Sequence, residues 1–180
     1  MEKIEHFNHG LSMGKLSFPE MVSIIKEQVG EDAVTSTLEV GTQPQMLVPA
    51  YRLLAVMNLL WKHPMFYFDY LACVTGVDNG VKENTLDVIY HLNSIPYEHS
   101  IIIKVVVSRE VEKEEVGIES VSSIWKTADW QEREIFDMFG LKFFNHPDLR
   151  RILLPGDWEG YPLRKDYQEQ ETYHGIKVKY

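Results

Sequence analysis

Residues 130–167 concentrate the side chains that could do chemistry: Glu132-Arg133-Glu134, Asp137, His146-Pro147, Arg150-Arg151, Asp157-Trp158 and Arg164-Lys165-Asp166. Three carboxylates this close together, Glu132, Glu134 and Asp137, are raw material for general acid–base catalysis. On a helix, Glu134 and Asp137 would be i, i+3 neighbours on one face, and Arg133 could pair with Asp137 at i, i+4. Acids near a helix start also act as caps and dipole partners, and this plainer reading competes directly with catalysis. His146 and Asp148 offer two metal ligands, with Pro147 between them restricting their approach. His146 reads better as a partly buried hydrogen-bonding residue that pins a turn.

Other chemistries find less support. There is no G-x-G-x-x-G or G-x-x-x-x-G-K-[ST] to cradle a nucleotide phosphate, and no H-E-x-x-H. No G-x-S-x-G presents a nucleophile, and Ser122-Ser123 reads as helix-start chemistry. His6 and His9 are close to each other but lie in a polar N-terminal stretch. The single cysteine, Cys73, sits between Leu71-Ala72 and Val74, as a packed strand residue would. One thiol makes no internal disulfide and cannot hold an iron–sulfur cluster, which needs about four ligands.

What remains is recognition. Arg150, Arg151, Arg164 and Lys165 have no obvious local excess of acids to neutralise them, and Trp158, Tyr161, Tyr167 and Tyr173 stand among them. Arginine forks beside tryptophan and tyrosine are the composition of a protein–protein contact surface. The formal net charge of −9 argues against a general nucleic-acid or anionic-membrane binder. That charge is uneven. Residues 1–140 carry 11 basic and 21 acidic side chains, net −10, and residues 141–180 carry 7 and 6, net +1.

The elements that must position these residues are legible in outline. Ser17-Phe18-Pro19-Glu20 is a helix-start signal, followed by Met21, Val22, Ile25 and Val29 at helical spacing and stopped by Gly30. Val34–Leu38 and Met46–Val48 read as short strands. Pro49 opens a second helix with Leu53, Val56, Met57 and Leu60 as its core stripe, ended at His63-Pro64. Three strands follow, one within 66–77, one over 86–92, and Ile101–Val107. The last is apolar on both faces and is expected to be central and covered on both sides. Residues 109–119 are acidic and expected to be solvated. Val121, Ile124, Trp125 and Ala128 suggest a helix. Asp129 or Glu132 is expected to cap another through Phe139, with Gly140 at its C-terminal end. Beyond Gly140 the periodicity ends.

The fold expected is α+β: a two-layer sandwich of a mixed β-sheet with helices on one face, over residues 1–140, and an irregular C-terminal partner-binding segment over 141–180. The apolar runs are too short to span a bilayer, and MEKIEHFNHG lacks the apolar core of a secretory signal.

The clusters Glu132-Arg133-Glu134, Asp137-Met138-Phe139-Gly140, His146-Pro147-Asp148-Leu149-Arg150-Arg151-Ile152-Leu153 and Gly160-Tyr161-Pro162-Leu163-Arg164-Lys165-Asp166-Tyr167, in this order and spacing, resemble the signature of one family. It is the C-type or 30 kDa subunit family of proton-pumping NADH–quinone oxidoreductase, respiratory complex I. The likeness spans roughly residues 20–167. It implies a two-layer α/β subunit of the peripheral arm on the cytoplasmic face of the membrane. FMN, iron–sulfur clusters and quinone would reside in partner subunits, and this chain would hold no cofactor or metal. The signature residues, Trp158 among them, would serve contact with the large D-type, or 49 kDa, subunit, the membrane being reached only through the complex. Related hydrogenase-like and ferredoxin- or F420-dependent complexes share such a component. A stand-alone enzyme using Glu132, Glu134 and Asp137 is the alternative of a different class. The family often has histidine where this chain has Tyr161, and proline where it has Gln168.

Overall fold

The structure, a computed structural model, describes residues 16–177; His6 and His9 lie outside them. Helix α1 (Phe18–Val29) opens as the sequence predicts. The Glu20 carboxylate reaches back to accept the Ser17 N–H at 2.8 Å and its hydroxyl at 2.6 Å. Strands β1 (Ser36–Leu38) and β2 (Gln45–Leu47) precede α2 (Leu53–Lys62), whose buried stripe is the predicted Leu53, Val56, Met57 and Leu60. Then come β3 (Tyr70–Asp78), β4 (Thr85–Ser94) and β5 (His99–Ser108), β6 (Gly117–Glu119), α3 (Ala128–Phe139) and β7 (Lys142–Phe144). A short hairpin of β8 (Thr172–Tyr173) and β9 (Ile176–Lys177) closes the described chain.

Strands β1 to β5 form one mixed sheet in the order β1-β2-β5-β4-β3, in which only β2 and β5 run parallel. Leu86, Val88, Tyr90 and Leu92 on β4 and Ile101, Ile103, Val105 and Val107 on β5 point to one face. There they join Met21 and Ile25 of α1, the α2 stripe and Ile135 of α3 in a single core. Burying such side chains contributes about 1.5–3 kcal/mol each. The opposite face carries exposed Thr75, Val77 and Val106 around an ion pair between Lys104 and Asp87 at 2.6 Å. β5 is therefore central but covered on one side by this chain, which corrects the expectation of two-sided cover.

Two further expectations change. Residues 121–127 form turns in place of a helix, because Ser120 Oγ accepts the Ser122 N–H at 3.1 Å and competes with helical pairing. The acidic stretch is exposed over 112–115, yet Val111 and Ile118 are buried and β6 pairs in parallel with β7. That pairing joins segments on either side of α3, so no local pattern announces it. α3 itself lies against β3, the edge of the sheet. Trp125 Nε1 donates to Phe68 O at 3.0 Å, Thr127 Oγ1 to Leu71 O at 3.2 Å, and the Val74 N–H to Gln131 Oε1 at 2.5 Å.

Candidate functional site: a braced C-terminal segment

The signature residues converge where the C-terminal segment is fastened to α3. Asp137, on the third turn of α3, is fully buried. Its Oδ2 accepts the N–H groups of Ile152 (3.0 Å), Leu153 (2.7 Å) and Leu154 (2.9 Å), and its Oδ1 takes Arg151 Nη1 at 2.7 Å. Burial alone would raise this carboxyl's pKa, but the three backbone donors and the guanidinium together hold it below the usual range. Arg151 also donates to Asp137 O, Trp158 O and Gly160 O, each at 3.0 Å. Arg133 does not pair with Asp137 as the i, i+4 spacing suggested. It turns to the carbonyls of Arg150 (3.2 Å) and Arg151 (3.4 Å).

Tyr161 is approached by two guanidiniums, with Arg151 at 5.3 Å and Arg164 at 5.4 Å from its ring centroid. Its ring lies on Gly140, the left-handed end of α3 with φ 79°, where a Cβ would come within 2.5 Å of the ring. Glycine is required there both for the backbone and for the contact.

A second fastening joins the segment to the sheet. Arg109, at the end of β5, is buried between two acids. Its Nε donates to Asp78 Oδ1 at 2.7 Å, and its guanidinium also grips Asp166, with Nη1 to Oδ2 at 3.1 Å. Asp78 further accepts the N–H groups of Lys165 (2.7 Å) and Gly80 (2.9 Å). Burial opposes the charge, but Arg109 and these donors bring the Asp78 pKa down to about 2. Arg164 donates to Phe139 O at 2.9 Å and Arg109 O at 2.6 Å. Arg151 and Arg164, expected to be mainly surface groups, are thus engaged inside the chain. Their partners are backbone carbonyls and distant acids, which a search for nearby acids overlooks.

Glu132 departs from the expected cap. The residue before α3 is Thr127, with no side-chain cap bond, and Asp129 makes no such bond either. Glu132 is fully buried and accepts the Ser120 hydroxyl at 2.5 Å and the Val121 N–H at 2.8 Å. Desolvation outweighs both donors and raises its pKa to about 7. His146 pins a turn as predicted. Its Nδ1 accepts the Asp148 N–H at 3.0 Å, and its Nε2 lies 3.0 Å from Asp129 O.

The three acids of the catalytic reading therefore have separate surroundings. Glu132 faces Ser120, Asp137 faces Arg151, and exposed Glu134 lines a cleft beside β3 with Cys73 and Gln131. Among the described residues no cluster of three or more His, Cys, Asp or Glu is placed to hold a metal ion. Pro147, Arg150, Gly160, Leu163, Lys165 and Asp166 are exposed, and Pro162 is half-buried. Trp158 is half-buried, tilts against Tyr173 with centroids 5.3 Å apart and donates to Tyr167 Oη at 3.2 Å. The sequence reading missed Asp78, Arg109 and Ser120. Arg109 fell at the start of the 109–119 stretch expected to be acidic and solvated, whereas the structure buries it.

Comparison with known proteins agrees with this layout. Residues 46–173 match the family described as "Respiratory-chain NADH dehydrogenase, 30 Kd subunit". The C-type subunit of NADH-quinone oxidoreductase from Chloroherpeton thalassium is 54% identical over 114 residues, which are 63% of this chain and 45% of that protein. The C/D-type subunit of NADH-quinone oxidoreductase from Phocaeicola vulgatus is 44% identical over 103 residues, 57% of this chain and 19% of that one. The match thus spans less than half the length of either relative. A chain in the solved membrane-bound sulfane sulfur reductase, an archaeal respiratory membrane complex, shares the fold with a TM-score of 0.68. It is 23% identical, and the likeness covers 83% of this chain and 85% of that one. Asp137, Arg151, Tyr161 and Arg164, which hold the C-terminal segment in place, all fall inside the matched range, and the chain belongs to the 30 kDa subunit family of respiratory-chain NADH dehydrogenase.

Proposed function

We propose that the chain is a non-redox structural subunit of an NADH–quinone oxidoreductase, bracing the partner chains that hold FMN, iron–sulfur clusters and quinone. The observation that carries this reading is the family match over the braced segment. With Asp137, Arg109, Arg151 and Arg164 engaged internally, the segment is a preformed shape for a partner to meet. Trp130, Leu153 and Leu163 stay exposed, as do Arg150 and Lys165, residue types that suit a partner contact. The partner proposed is the D-type subunit, a pairing supported by the Phocaeicola protein, whose name joins C and D. No helix among the described residues is long and apolar enough to cross a membrane. Attachment to the cytoplasmic face through the complex is part of the same proposal.

Affinity purification of the tagged chain from native membranes tests it. A D-type subunit and NADH–quinone reductase activity should co-purify. Trp130→Asp should lower that yield without shifting the melting point of the isolated chain. Recovery of hydrogenase or sulfur-reductase subunits would move the chain to a related complex, a second reading favoured by the shared fold with the archaeal reductase. Recovery of the chain alone, with turnover of its own, would overturn both.

A further inference from the structure

Among the described residues, Glu132 is the one buried acid without a formal cation to offset it. The groups facing it come from four elements. Ser120, with Ser122 behind it at 2.7 Å, comes from the loop after β6, and Asp129 lies one turn back on α3. His146 and Asp148 come from the turn after β7, with His146 Nε2 3.9 Å from the Glu132 carboxylate and 3.8 Å from that of Asp129. Tyr90 of β4 is fully buried, and the Glu132 charge adds to the burial that keeps its phenol protonated. The His146 Nδ1 is engaged by the Asp148 N–H. Among the described residues no lysine or arginine is paired with Glu132, so an ionised Glu132 stands in the core without the kind of partner that Asp78, Asp87 and Asp137 have.

We propose that Glu132 is a proton-operated latch on the C-terminal segment. Protonated, it ties α3 to the loop after β6. Ionised, it loosens that loop and the turn at 145–148 that leads into the Asp137–Arg151 brace. The shift of this carboxyl to about 7 puts the change within the neutral range. The sign follows from a folded value above the unfolded 4.5. The stabilisation is complete below 4.5 and is lost as pH rises through 7. The device concerns the chain itself and holds whichever complex contains it.

The test uses the full isolated chain, uniformly labelled with carbon-13, with Glu132→Gln identifying the Glu132 carboxyl resonance by its absence. The wild-type carboxyl should titrate near neutrality. The folded-to-unfolded ratio from urea melts should fall roughly 30-fold more between pH 5.5 and 8.5 for wild type than for Glu132→Gln, which mimics the neutral acid. Exchange at the Val121 and Asp148 amides should accelerate over the same range in wild type relative to reference core amides. A Glu132 carboxyl that titrates between pH 4 and 5 overturns the proposal, and so does an equal pH step in both proteins. Should Glu132→Gln not fold, through-bond correlation of the side-chain carboxyl to the sequentially assigned Glu132 amide in the uniformly labelled wild type identifies the resonance, and its titration alone decides.

Discussion

Replacing Asp137 by asparagine is the sharpest test of the brace. The change keeps the shape and removes one charge. Asparagine offers one oxygen and one NH2 where aspartate offers two oxygens. If the oxygen faces Ile152, Leu153 and Leu154, the NH2 opposes Arg151 Nη1, now 2.7 Å from Oδ1. If the amide flips, its NH2 confronts three N–H groups. Either orientation loses charge-assisted bonds worth about 1.5–3 kcal/mol. Arg151, whose side chain is only 15% exposed, also loses its counter-charge. Breaking a buried pair from one side costs about 3–5 kcal/mol, so a loss of about 3–4 kcal/mol is expected. At ~2–4 °C per kcal/mol for a chain of this size, the melting point should fall by ~10 °C. Urea melts should show a lower midpoint with an unchanged slope, and trypsin should cut after Arg150 and Arg151 sooner. If Asp137→Asn melts within ~0.5 kcal/mol of wild type and resists trypsin equally, the brace contributes little and the argument fails.

Other outcomes are expected from neighbouring residues. Asp78, with its pKa lowered to about 2 from 3.8, contributes stability that is present above 3.8 and lost as pH falls toward 2. Acid titration of unfolding should therefore show a loss of about 2 kcal/mol that Asp78→Asn lacks. Gly140→Ala should destabilise by about 2 kcal/mol or more through its positive φ and the Tyr161 contact, and Tyr161→Ala in the same chain should relieve part of that loss in a double-mutant cycle. Elemental analysis and absorption spectra of the purified chain should show no stoichiometric iron, zinc or flavin; any of these at one equivalent would contradict the non-redox proposal.

The sequence made the body of the fold legible because its signals there are local. The Ser17–Glu20 start of α1, the α2 stripe and the alternation of β4 each depend on residues a few positions apart. The braces were not legible because their partners are distant. Arg109 and Asp166 are 57 positions apart, and the Lys165 N–H and Asp78 are 87 apart. Arg151 and Arg164 looked unoccupied for the same reason, since backbone carbonyls as acceptors leave no trace in composition. The burial of Glu132 goes with the β6–β7 pairing, whose flanking residues Ser120 and His146 both approach its carboxylate.

The three side chains bonded along β3 and the segment just before it bear on the life of the protein before assembly. An open strand edge is a template for self-association, and a newly made component spends time without partners. Trp125, Thr127 and Gln131 occupy acceptor and donor groups at Phe68, Leu71 and Val74 that a neighbouring strand would otherwise seize. The far edge, β1, is only three residues long, too short to seed a stable sheet. Cover of this edge against pairing with another strand therefore rests on the stretch from Trp125 to Gln131. Damage to that stretch would surface first as aggregation during biogenesis, before any defect in a finished complex.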